Sequence, residues 1–251
     1  MSKPLRQPLI ITLLWVGIAC TATGQLICVE SHFERLERLS KSTPQTIGFI
    51  QEDMNLVDDY SKLSQIILLR HGEPALNKTG WRRRKEAIQF VKDYDSVGIY
   101  TPEFIPVRLA PDELQVIHTS SIPRSIATAK LVFDQEDIQQ PDPLFREFER
   151  KVYPFLNIKI PLKWWLNTSR RLWFMGTNKK GIERFSEARK RARAGAGFLE
   201  KEALDKGKAL LVSHGLLNHY LVKYLKQNGW IEVYDGGSGY LSQKVLVRYG
   251  L

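Results

Sequence analysis

The short apolar run Gln65–Leu69 is closed at once by Arg70-His71-Gly72-Glu73. Such a run reads as a buried strand, and the glycine marks a tight turn at its end. Open α/β folds bind their ligands at the carboxyl edge of the sheet, so this turn would deliver an arginine and a histidine there. The arrangement recurs downstream. Ala209–Ser213 is a second apolar run, His214 and Gly215 close it, and Leu216–Lys226 has a helical pattern. Two strand-His-Gly-helix units favour a fold in which two imidazoles face each other across one pocket.

The rest of the chain repeats the alternation of strand and helix. Helical patterns cover Gly80–Tyr94, Ile122–Phe133, Trp164–Met175 and a long basic stretch, Ile182–Leu204. Strands are expected at Leu114–His118 and Gln243–Tyr249. Pro141 and Pro143 open a loop that leads through Leu144–Phe148, and Gly236, Gly237 and Gly239 form a turn. This alternation predicts an α/β fold, a three-layer sandwich with a largely parallel central sheet flanked by helices.

A chain of 251 residues suits one such domain behind a leader. Lys3 and Arg6 precede the apolar stretch Leu9–Cys20, and small residues follow as far as Gly24. Residues 1–24 therefore read as a signal peptide or an N-terminal membrane anchor, with the bulk of the chain exported to the periplasm or the cell exterior. The strongly apolar part is shorter than the ~20 residues a spanning helix prefers. Lipidation at Cys20 is a third reading, weakened by Gly17 where such sites prefer leucine. Residues 25–63 are expected to form a polar connector with a short helix around Glu30–Leu39, and residues 64–251 the folded α/β domain.

The formal net charge of +10 favours anionic partners. No zinc-finger or RNA-recognition signature is present, so nucleic acid is not expected among them. The basic runs Arg82–Lys85 and Arg189–Arg193 read as solvated helix faces. The two cysteines, Cys20 and Cys28, lie in or near the leader. The domain thus has no internal disulfide and no thiol nucleophile. No metal or other cofactor is expected. His219 stands five residues after His214, not at the i, i+4 spacing of a helical metal pair. His118 is expected to pack at a strand end.

Arg70, His71, Arg124 and His214 all fall at strand-to-helix turns. If those strands are neighbours, the turns converge on a cationic pocket. The planar fork of arginine suits phosphate, and Gly72 would let a phosphate approach the backbone closely.

These residues resemble the histidine phosphatase superfamily, also called the phosphoglycerate mutase-like family. Arg70-His71-Gly72-Glu73 looks like its signature, and Asn77 matches an asparagine that contacts phosphate in many members. Thr119–Arg124, continued by Ala127–Ala129, is similar to the motif of the second arginine. Phe145–Phe148 resembles the segment carrying the acid, and Val212–Gly215 the segment carrying the second histidine. The matches run in the family's order from about Gln65 to Tyr249.

The resemblance implies a phosphoric monoester hydrolase of the histidine acid phosphatase type, acting on a small phosphorylated substrate. His71 would attack phosphorus and carry the phosphoryl group. Arg70, Asn77, Arg124 and His214 would hold the phosphate oxygens, and the guanidinium charges would help keep His71 neutral. Glu147 would protonate the leaving oxygen and then activate water. Arg150–Phe155 departs from the family pattern after the acid, so Glu149 stays open as a rival. Asn77 has a second reading as a helix cap. The added segments of glycolytic mutases are not recognisable, which favours hydrolysis over phosphoryl transfer within one substrate. A catalytically silent anion-binding module is the rival outside enzymes.

Trp164, Trp165, Trp173, Phe174 and Met175 lie among basic residues such as Lys163, Arg170 and Arg171. Core packing under a surface helix is the leading reading; contact with a membrane interface stands beside it.

Overall fold

Ile66, Ile67, Leu68 and Leu69 have no solvent exposure at all, so their strand is covered on both faces. A strand apolar on both sides belongs to the middle of a layered fold. The computed structural model describes residues 48–52, 57, 59–103, 105, 116–133, 139–153, 157–177 and 181–250. The leader and the short helix expected around Glu30–Leu39 lie outside the described residues.

The strands, in chain order, are β1 (Leu63–Arg70), β2 (Trp81–Arg82), β3 (Ile117–Ser120), β4 (Gln139–Asp142), β5 (Ile160–Pro161), β6 (Lys208–Ser213), β7 (Ile231–Asp235) and β8 (Gln243–Tyr249). The principal helices are α1 (Arg84–Ser96), α2 (Pro123–Phe133), α3 (Leu162–Phe174), α4 (Phe185–Lys206) and α5 (Gly215–Gln227). Six strands form one sheet in the order β4-β3-β6-β1-β8-β7. The three pairs from β4 to β1 are parallel, and β1–β8 and β8–β7 are antiparallel.

One face of the sheet, with Ile66, Leu68, Leu211 and Leu246, packs on α4 and α5 through residues such as Ala192, Leu199 and Leu221. The opposite face, with Ile67, Leu69, Val212 and Val245, packs on Ala129 of α2 and on Phe49 and Ile50. The result is the three-layer α/β sandwich anticipated from the alternation. A smaller cluster joins α1 to α3 through Ala87, Phe90, Leu162 and Trp165. No helix among the described residues is long and apolar enough to cross a membrane.

Several boundaries differ from expectation. The helix expected from Gly80 starts at Arg84, because Trp81 and Arg82 pair with Pro161 and Ile160 as a two-stranded ladder. Glu86 then accepts a bond from the Arg83 backbone N–H and fixes the new start. The strand expected at Leu114–His118 pairs over Ile117–Ser120, with Thr119 and Ser120 fully buried. Pro141, expected in a loop, lies within β4. That strand is an edge of the sheet, where a residue without an N–H is tolerated. The long basic helix runs three residues later at its start and ends at Gly207, whose φ of +79° is a left-handed cap.

Candidate active site

β3, β6 and β1 are adjacent, so the turns after Ser120, Ser213 and Arg70 meet on one edge of the sheet. The register pairs Arg70 with Ser213, and the His71 N–H donates to the Ser213 carbonyl at 2.9 Å. His71 and His214 face each other with ring centroids 5.1 Å apart. Arg124, in the first turn of α2, lies between them and is 1% exposed. Its Nε donates to His71 Nε2 at 3.2 Å, and its Nη2 lies 3.3 Å from His214 Nδ1. Its Nη1 donates to the Tyr94 carbonyl at 2.7 Å and pairs with Asp95 at 3.1 Å. All three nitrogens of the fork are thus engaged.

The partners assign the tautomers. His71 Nδ1 is 2.7 Å from the Gly72 carbonyl, which can only accept, so Nδ1 carries the proton. Nε2 is left with a lone pair, which the Arg124 N–H meets. His214 has the reverse arrangement. Its Nδ1 faces a guanidinium that can only donate, and its Nε2 donates to Ser120 Oγ at 2.8 Å.

Both rings are held neutral. Burial pushes His71 down to about 3; the Arg124 charge adds to this, with smaller help from Arg70 and Lys78 and against the pull of the Gly72 carbonyl. Burial, then Arg124 and His71, holds His214 well below the usual histidine range.

These shifts fix a dependence of stability on pH. The unfolded His71 binds a proton below about pH 6.5, whereas the folded one does so only near pH 3. Its contribution is therefore complete above pH 6.5 and declines as pH falls toward 3, by about 1.4 kcal/mol per unit. His214 acts in the same direction. Urea unfolding of the full chain between pH 8 and 4.5 should show this loss, and His71→Asn should have a visibly shallower acid slope. Equal slopes would mean that the His71 ring is not kept neutral.

The glycines of the two turns make room for protein atoms. A Cβ on Gly72 would stand 3.0 Å from Ile99 Cδ1, so its small size admits Ile99. A Cβ on Gly215 would stand 3.2 Å from Arg70 Nε, so that glycine admits the Arg70 guanidinium. Arg70 donates to the Ser238 carbonyl and stacks 4.4 Å from the centre of the Tyr240 ring. Lys78 bonds the Tyr240 hydroxyl, and the Tyr240 ring lies 5.8 Å from His71.

Lys78, Tyr94, Asp95 and Tyr240 escaped the sequence reading. The one available signal was the position of Tyr240, between the Gly236–Gly239 turn and a strand that pairs with β1.

Beside these residues opens a cavity of about 580 Å³. Arg70, His71, Arg124, Glu147 and Glu149 all line it. Glu147 is half-buried, and its carboxylate makes one hydrogen bond among the described residues, accepting from the Phe148 N–H at 2.8 Å. The Glu149 carboxylate is committed elsewhere. It accepts from the Glu183 N–H at 2.7 Å and lies 3.4 Å from Arg146.

Asn77 is not brought into the cavity. It is exposed, and its carbonyl oxygen accepts from the N–H and hydroxyl of Thr79 at 2.8 and 2.7 Å, a local turn. Nor does it cap a helix, since Arg83 stands at the start of α1.

His118 is buried, 3.4 Å from Glu202 and edge-on to Phe198. His219 is exposed at the rim of the cavity. No group of three or more metal-ligating side chains is found among the described residues. The aromatic segment divides. Trp165 and Trp173 are core residues whose N–H groups bond the Arg82 and Glu183 carbonyls, whereas Trp164 and Met175 are exposed.

A pocket of this kind can bind a tetrahedral dianion and present a neutral imidazole nitrogen to it. The model of the histidine phosphatase superfamily (branch 1) matches residues 66–242. Among solved structures, the mycobacterial glucosyl-3-phosphoglycerate phosphatase is 17% identical with a TM-score of 0.43, over 74% of this chain and 90% of its own. The phosphoglycerate mutase of Bacillus anthracis is 17% identical with a TM-score of 0.44, over 75% and 89%. The ecdysone phosphate phosphatase of Bombix mori is 15% identical with a TM-score of 0.36, over 66% and 78%. No curated protein matches the chain.

Proposed function

The chain belongs to the histidine phosphatase superfamily, and from that premise we propose that it hydrolyses phosphomonoesters through a phosphohistidine on His71. The observation that carries the reading is the His71 tautomer: Nδ1 is tied to the Gly72 carbonyl, which leaves the Nε2 lone pair beside Arg124 at the cavity. An attacking imidazole must be neutral, and burial with nearby arginines keeps it so.

The phosphoryl group sits in the cavity beside His71, held by Arg70 and Arg124. Nε2 forms a bond to phosphorus as the ester P–O bond breaks, and Glu147 gives its proton to the leaving oxygen. Water then attacks phosphorus and returns a proton to Glu147, and free phosphate leaves His71 restored. The guanidinium groups stabilise the charge on the transferring oxygens. His214 stays neutral and holds the guanidinium of Arg124 through Nδ1 while donating to Ser120 through Nε2, which fixes the Arg124 fork beside the phosphoryl group. The charged and apolar residues of positions 1–24 support export of this activity.

Rapid-quench labelling of the full chain with a radiolabelled aryl phosphate tests the scheme. An acid-labile, base-stable label on His71 is expected, followed by release of free phosphate. Isomerised substrate without phosphate release would make the protein a mutase. Bound phosphate with neither label nor turnover would make it a silent anion-binding module.

A further inference from the structure

The cavity is lined by more arginine than one phosphoryl group needs. Arg70 and Arg124 stand beside His71; Arg146, Arg150 and Arg170 line the same cavity. Two of these three are already used within the protein. Arg146 pairs with Glu149 at 3.4 Å and Glu183 at 3.7 Å. Arg170 donates to the Phe148 and Glu149 carbonyls at 2.8 and 2.9 Å, which fixes the backbone that carries Glu147 and Arg150.

Arg150 has no such partner. Its guanidinium makes no hydrogen bond or ion pair among the described residues, and its Nε is closed to solvent without an acceptor. The other acids of the cavity are occupied: Asp95 pairs with Arg124 and Glu149 with Arg146. Glu147 exerts the strongest attraction on Arg150, yet the two do not reach ion-pair distance. Arg150 is half-buried and an arginine keeps its proton, so the cavity wall holds a cation with free donors. Phe90, Val91 and Leu166 supply apolar wall to the same cavity.

We infer that Arg150 docks a second anionic group of the substrate, so that the natural phosphomonoester also carries a carboxylate or a second phosphate. This rests on the phosphatase reading and narrows its substrate class. The phosphoryl group lies at His71 with Arg70 and Arg124, and the second anion takes the free fork of Arg150. Binding then removes the cost of the unpaired guanidinium, and substrates that lack the second charge leave it in place. Discrimination of this kind, by leaving a half-buried charge unpaired, is stronger than that of an apolar contact.

The full chain is assayed with 3-carboxyphenyl phosphate and with its methyl ester, which differ in charge at one point. The wild type should prefer the carboxylate by about tenfold or more in kcat/KM. In Arg150→Gln the preference should fall close to one, and Arg150→Lys, with its charge but without the planar fork, should lie between. Arg150→Gln should not melt below the wild type, since it removes a half-buried charge that makes no bond.

Binding of 3-phosphonopropionate, propane-1,3-bisphosphonate and propylphosphonate, measured by calorimetry, gives a readout independent of turnover. The two bis-anions should bind more tightly than the mono-anion in the wild type only, and the stronger of them identifies the carboxylate or the phosphate as the second group.

No preference in the wild type would overturn the inference. So would a parallel fall for both esters in Arg150→Gln with the ratio kept, because Arg150 would then serve the reacting phosphoryl group or Glu147. If neither ester is turned over but the binding difference persists and is lost in Arg150→Gln, the subsite stands and the phosphatase reading fails.

Discussion

Replacing His71 with alanine should lower kcat for any phosphomonoester by roughly ten-thousandfold or more and should abolish the phosphoryl label. The expected size reflects the lack of a substitute. The folded domain has no cysteine. His214 is fully buried, its Nδ1 occupied by Arg124 and its Nε2 proton directed at Ser120. Arg124 meets a nitrogen of each ring, but His71 lines the cavity and His214 does not. The fold should survive, because the backbone bond from residue 71 to Ser213 does not involve the side chain. Loss of the buried ring and of its contact with Arg124 should cost about 1–3 kcal/mol. Circular dichroism and the melting temperature check this, and His71→Asn, which keeps a polar group at the site, is a second control. Turnover near the wild-type rate in both variants, with native spectra, would move the nucleophile elsewhere.

What could be read in the sequence was what local patterning controls. β1 and β6 stand out because their apolar residues are consecutive, and residues buried on both faces lack the usual alternation. The same two strands set His71 and His214 side by side, so the central feature of the site could be anticipated once the strands were taken as neighbours. β7 was missed for the opposite reason. Its residues are mostly half-buried, and a register shift between Glu232 and Tyr234 breaks the alternation. β2 and β5 are two residues each, too short to carry a pattern.

Side chains that reach the site from remote positions were hidden. Lys78 and Tyr240 meet although 162 positions apart, and Asp95 meets Arg124 across 29. Asn77 shows the converse limit. Its spacing from His71 fits the family motif, but the nearer donors of Thr79 take its carbonyl oxygen. Gly72 likewise answers to a remote residue, Ile99.

Glu147 and Glu149 could not be separated in the sequence, and their environments now predict opposite phenotypes. Glu147→Gln should lower kcat for an alkyl phosphate by about a hundredfold to a thousandfold, since an alkoxide leaves poorly without a proton. The defect should shrink for a nitrophenyl phosphate, whose leaving oxygen needs no acid. Its effect on melting should be small, because the backbone N–H of Phe148 can be met by the amide oxygen of glutamine.

Glu149→Gln should do the reverse. One carboxylate oxygen holds the Glu183 N–H and the other faces Arg146. An amide keeps a single acceptor, so either the Glu183 bond or the Arg146 contact is lost, at about 1–2 kcal/mol and a few degrees of melting temperature. Its rates should stay within a few-fold of wild type and show no dependence on the leaving group. The leaving-group slope separates the roles, because a merely structural defect slows all esters alike. A steep slope in Glu149→Gln, with none in Glu147→Gln, would transfer the acid to Glu149 and require its bond to Glu183 to break during turnover.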